Sequence, residues 1–134
     1  MRTIVGFVAL VGLVLAASGA KDAPGQTQTV SFSADIQPIL NDHCLACHQT
    51  GSSEQGLNLE EGKAWQSLVG VRSKESKLAL VESGQPDQSY MFHKIQGSQK
   101  NAGGGGVQMP IGDPLSPANI AEVRRWIAAG APRN

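Results

Sequence analysis

Cysteine is scarce in this chain and neither sign of charge is in surplus, and each shortage closes off a class of protein. Two cysteines in 134 residues allow at most one local disulfide, or two idle thiols, too little to staple a small secreted scaffold, and they cannot provide the second, distant ligand pair on which zinc sites usually draw. Eleven basic residues face eleven acidic ones, so no basic surface is offered to nucleic acid. The longest apolar run, Ile4 to Ala17, is short of the roughly 20 residues a membrane span needs. Four consecutive glycines, Gly103 to Gly106, are followed by Val107, Gln108, Met109 and Pro110, not by the Lys and Ser or Thr of a phosphate-binding loop. No internal repeat is present.

Against those absences stands Cys44-Leu45-Ala46-Cys47-His48. Two thiols two residues apart can each add across one vinyl group of a haem, and the histidine that follows is carried under the ring toward the iron. A thioredoxin-like CxxC would want a preceding strand, yet Ser33 to Asp42 reads as helix. His43, Cys44, Cys47 and His48 are too crowded to converge on one tetrahedral zinc. His43 itself points about 100° away from Cys44 on a helix and is a poor second ligand.

Arg2, the run Ile4 to Ala17, and Ser18-Gly19-Ala20 have the three-part layout of a secretory signal, with cleavage expected near Ala20. We therefore divide the chain into a signal peptide, 1–20, a flexible leader, 21–30, and one folded domain, 31–134. Removing 20 of 134 residues leaves 114, one domain with a modest core that a buried haem would enlarge. Loss of Arg2 leaves 10 basic residues against 11 acidic. The expected location is the periplasm or another exported space, with membrane contact only if the signal is retained or the partner is membrane-bound.

Periodicity predicts about four helices. The first starts near Ser33 or Asp35, with Phe32, Ile36, Ile39 and Leu40 on one face and Pro38 in its first turn. Asn58 and Glu61 read as a capping-box variant opening a second helix through Leu59, Ala64, Trp65 and Leu68 to Gly70. Trp65 is core or haem wall, its indole N–H a candidate donor to a propionate. Leu78 to Val81 is a short strand or an irregular crossing. A third helix runs from Asp87 or Gln88 through Tyr90, Met91 and Ile95 to Gly97. Gly97 to Gly106 reads as a flexible loop. Ser116 or Pro117 opens the last helix, with Ile120, Val123, Trp126 and Ile127 inward and Arg124 and Arg125 toward solvent.

The phrase Phe32, Asp35, Ile36, Pro38, Ile39, Leu40 before CxxCH, with Gly56, Leu57 and Leu59, Ser89 to Ile95, Met109-Pro110 and Ile120 to Pro132, resembles class I cytochrome c over roughly 30–132. The resemblance implies an all-α, class I cytochrome c-like fold around one covalently attached haem c. It implies that Cys44 and Cys47 hold the haem, that His48 is the proximal iron ligand and that Met109 is the distal one. Met91 and His93 are the competing distal candidates. The Gly-Pro that often follows the haem histidine is replaced by Gln49, Thr50, Gly51, so the acceptor for the His48 imidazole N–H is unassigned, with Gly56 and its neighbours as candidates.

The implied function is single-electron transfer between redox partner proteins, without enzymatic activity. A haem subunit of a larger complex, or a sensor or peroxidase-like protein with an open distal site, is the alternative. No paired acid and base supports catalysis. We expect Cys44→Ser or Cys47→Ser to leave one thioether and a poor yield, and the double variant to carry no covalent haem. Release of haem from the unaltered protein by acid-acetone extraction would overturn that expectation.

Overall fold

The computed structural model describes residues 29–134; the expected signal peptide, 1–20, and all but the end of the expected leader lie outside the described residues. The chain enters through a reciprocal cap. Ser31 Oγ accepts from the Ala34 N–H at 3.3 Å while the Ser31 N–H donates to Asp35 Oδ2 at 2.7 Å, so two backbone donors at the helix start find partners. A π-helical turn, Phe32–Ile36, continues into α1, Gln37–His43, with Pro38 at its start. The cap thus lies at Ser31, two residues before the earliest position the sequence suggested.

A two-stranded antiparallel sheet follows, β1 (His48–Gln49) on β2 (Ser52–Ser53), in register His48 with Ser53 and Gln49 with Ser52. Then come α2, Ala64–Leu68, α3, Tyr90–Gln96, and α4, Pro117–Ala128. The expectation of an all-α, class I cytochrome c-like fold of four helices is therefore corrected. Among the described residues the α-helices are four but short, only α4 exceeding seven residues, and the chain adds the β1–β2 sheet and isolated bridges joining Val69 to Val81, Arg72 to Ala79 and Ala79 to Ser89. The reason lies in how brief the apolar periodic runs are. Asn58 Oδ1 accepts from the Glu60 N–H at 3.0 Å, a local turn that competes with a helix start and delays α2 to Ala64. Gly97, with φ of 82°, ends α3 in a left-handed turn that favours glycine.

The core is mostly aliphatic, with Phe32, Phe92 and Trp126 among it, and joins the two ends of the described chain. Ile36, Leu40, Leu68, Val81, Val123, Trp126 and Ile127 are fully buried. The Phe32 ring sits 5.2 Å from that of Trp126, which brings the first helical segment onto α4 as the matching three-and-four spacing predicts. Ser116 caps α4 by accepting from the Asn119 N–H at 3.1 Å. Arg124 faces solvent, pairs with Asp87 at 2.9 Å and lies over the Phe92 ring; Arg125 pairs with Glu122.

The glycine-rich loop is packed, not loose. A Cβ on Gly104 would come within 2.2 Å of the Tyr90 hydroxyl, so the backbone lies directly against that ring and only glycine fits. Beneath it Tyr90 Oη donates to Glu75 Oε2 at 2.7 Å, and Lys94 Nζ donates to Glu75 Oε2 at 2.6 Å and to the Gly105 carbonyl at 3.0 Å. The Lys94 and Tyr90 hydrogen bonds hold the Glu75 carboxyl below its usual range. Burial, then the bond to Glu75, pushes the Tyr90 phenol up to about 12.

Two outcomes follow from this packing. Ile36→Ala removes a fully buried side chain and should cost about 2–5 kcal/mol in chemical denaturation, whereas Ile111→Ala, at a side chain 71% exposed, should change stability by about 0.5 kcal/mol or less. The raised Tyr90 value means the folded protein keeps a proton that the unfolded chain releases from its ordinary 10.0 upward. That stabilisation is whole below pH 10 and is lost as pH climbs through about 12. Tyr90→Phe should flatten the alkaline limb of a stability-against-pH profile; an unchanged limb would assign it to other groups.

Candidate haem-attachment site

The CxxCH segment leaves α1 as a tight turn because the α1 carbonyls continue to be used past its end. The Cys44 and Leu45 N–H groups both donate to the Leu40 carbonyl, at 2.9 and 3.2 Å, and the Cys47 and His48 N–H groups both donate to the Cys44 carbonyl, at 3.2 and 3.1 Å. These bonds bring Cys44, Cys47 and His48 together in one turn. Both cysteines are free thiols, Cys44 half-buried and Cys47 exposed. Burial, with a smaller contribution from Cys47, pushes the Cys44 thiol up to about 11. A disulfide-exchange cysteine needs the opposite shift, so the geometry and the chemistry together speak against a redox CxxC. Among the described residues no three His, Cys, Asp or Glu side chains gather into a metal-holding cluster, and the four residues weighed for zinc do not converge.

His48 is fixed through its backbone at both ends. Beyond its N–H bond to Cys44, its carbonyl accepts from the Leu59 N–H at 2.8 Å, and the Glu54 N–H donates to the Cys47 carbonyl beside it at 3.1 Å. The segment beyond Leu59 is tied back to the hairpin by Glu60 Oε2, which accepts from Thr50 Oγ1 at 2.7 Å, Asn58 Nδ2 at 3.1 Å and Lys63 Nζ at 2.6 Å. Those donors, Lys63 foremost, draw the Glu60 carboxyl down to about 2.

The His48 ring is half-buried, and its Nδ1 is fully buried without a hydrogen-bond partner. Neither Gly56 nor its neighbours accept from it. Among the described residues its Nε2 makes no hydrogen bond, and it is not one of the buried atoms left without a partner. A buried donor or acceptor left unmatched costs about 1–3 kcal/mol, and a ligating histidine commonly uses one ring nitrogen for the metal and the other for a supporting hydrogen bond. Two free thiols in one turn with an imidazole whose outer nitrogen is open therefore fit a covalently attached haem: Cys44 and Cys47 would hold it and His48 would face its iron.

The remaining candidates are placed differently. Met91 is buried in the core at 9% exposure. Both His93 ring nitrogens are engaged, Nδ1 with Ser98 Oγ at 2.7 Å and Nε2 with the Asp87 carbonyl at 2.9 Å. His43 ends α1, half-buried. Met109 lies in an irregular segment after the glycines, half-buried. Its N–H donates to the Lys94 carbonyl at 3.1 Å, and neighbouring Gln108 Nε2 donates to the Ile95 carbonyl at 2.8 Å, so the segment is fastened to the end of α3. Among the described residues no hydrogen bond joins it to the CxxCH turn. Trp65 is not free to meet a propionate through its indole: Nε1 donates to the Ala131 carbonyl at 2.9 Å, and the Arg133 guanidinium lies over its ring. That tail contact and the Gln37 side chain, described below, left no signal in the apolar periodicity.

Residues 44–103 match the family described as Planctomycete cytochrome C, a stretch that takes in Cys44, Cys47 and His48 and stops short of Met109. No curated protein and no solved structure matches the chain. The matched stretch contains the whole CxxCH turn, and the two together support a c-type cytochrome-like domain over residues 44–103.

Proposed function

We propose that the chain is an exported electron carrier with one haem c, attached through Cys44 and Cys47, ligated by His48 and Met109, and with no catalytic residues of its own. Bound there, the haem supplies a one-electron iron couple. Everything else is done by the chain. The CxxCH turn holds His48 Nε2 open, and the backbone bonds at both ends of His48 resist its displacement. A second strong protein ligand keeps iron geometry similar in both oxidation states and leaves little reorganisation to oppose transfer, and a methionine sulfur raises the potential.

The observation that carries the Met109 assignment is the contrast among the candidates. Met91 is committed to the core and His93 has both ring nitrogens engaged, while Met109 is half-buried in a tethered segment outside the core cluster. Redox proteins are the proposed partners. Export rests on the Ile4 to Ala17 run and the Ser18-Gly19-Ala20 site, and among the described residues no helix is long and apolar enough to cross a membrane.

In Met109→Ala the sulfur-to-iron charge-transfer band of the oxidised protein should vanish, the midpoint potential should fall and the iron should gain affinity for added ligands. Retention of both band and potential would remove Met109 from the iron and return the open-site reading.

A further inference from the structure

Gln37 opens α1 with a side chain that is only 4% exposed, an unusual position for an amide unless its polar atoms are matched. Its Nε2 is matched twice, donating to Asn41 Oδ1 at 2.9 Å and to the Leu59 carbonyl at 3.0 Å. A carbonyl can only accept, so the amide cannot be turned the other way round. Gln37 Oε1 is thereby left buried with no partner.

The His48 ring has the complementary defect, a buried Nδ1 with no acceptor. Both side chains belong to residues fastened to Leu59: its N–H donates to the His48 carbonyl and its carbonyl accepts from Gln37 Nε2. The third buried atom of this kind among the described residues, Gln99 Oε1, belongs to a residue tied to the glycine-rich loop through Gly106. One orphaned acceptor and one orphaned donor thus flank a single residue beside the attachment turn.

We infer that Gln37 Oε1 is the acceptor for the His48 Nδ1–H, reached across one buried water, and that Gln37 is a positioning residue which sets the orientation and donor strength of the iron-ligating imidazole. It takes the role left unassigned by Gln49, Thr50 and Gly51 after His48. An acceptor on Nδ1–H makes the other ring nitrogen a stronger donor and favours the oxidised metal. The inference rests on the haem reading above.

The test uses the full holo-protein. The absorption spectrum of the unaltered protein is read first, because absence of covalent haem overturns the haem reading and this inference together. With haem present, Gln37→Met removes the acceptor at similar volume: the midpoint potential should rise and the His48 Nδ1–H resonance of the reduced protein should exchange faster with solvent. Gln37→Glu loses the Nε2 donor to Leu59 but keeps an acceptor, so slow exchange should persist and the potential should stay at or below that of the unaltered protein. A structural role through Leu59 would affect both variants alike, and that outcome overturns the inference, as does a Gln37→Met protein with unchanged resonance and potential. If Gln37→Met does not fold, Gln37→Glu decides alone: exchanging an amide acceptor for a carboxyl must move the Nδ1–H resonance, and an unmoved resonance overturns the inference while leaving the haem reading intact.

Discussion

The bond from the Leu59 N–H to the His48 carbonyl, 2.8 Å long, is the contact on which the arrangement around the attachment turn depends. On one side it closes the β1–β2 hairpin back onto the chain, so that His48 cannot swing on a free loop. On the other it delivers Leu59 into the core at 3% exposure and presents the Leu59 carbonyl to Gln37 in α1. Backbone bonds of this kind are individually modest, about 1 kcal/mol each. Their worth here is directional, since each removes a way for the histidine to turn while leaving its outer nitrogen open.

That turn is carried by a scaffold whose two ends meet. Phe32 stacks near Trp126, and the tail runs alongside: Trp126 Nε1 donates to the Pro132 carbonyl at 3.0 Å, the Ser33 N–H donates to the Asn134 carbonyl at 2.9 Å, and the Phe32 N–H donates to Asn134 Oδ1 at 2.8 Å. Both indoles find backbone acceptors in the same short stretch, Ala131 and Pro132, so the polar edge of each large ring is satisfied inside the protein. The opposite region is organised by the Glu75 carboxylate, which ties Tyr90 and Lys94 of α3 together under Gly104 and Gly105 and so fixes the path of the chain leading to Met109.

How far each feature could be read from the residues depends on whether its cause is local. The CxxCH spacing is local chemistry. The inward faces of the first and last helices, the caps near Ser116 and the stop at Gly97 follow from periodicity and backbone preference within a few residues. The hairpin after His48 was missed because Gln49 to Ser53 has no alternating apolar pattern; it is held by Ser53 Oγ on the Gln49 carbonyl and by Glu60. The four glycines suggested freedom, and the Tyr90 ring lying against Gly104 showed why small residues are needed there instead.

By itself, then, the sequence determined the attachment motif, the separation of α3 and α4 and the faces they bury, since these rest on interactions spanning no more than about two helical turns. Only the tertiary structure decided that the fold is not purely helical, that the Trp65 indole belongs to Ala131, that His93 is engaged at both nitrogens, and that Gln37 and His48 hold unmatched polar atoms on either side of Leu59. Those outcomes turn on which polar groups meet once the chain has packed, and such hydrogen bonds leave no periodic trace in the sequence.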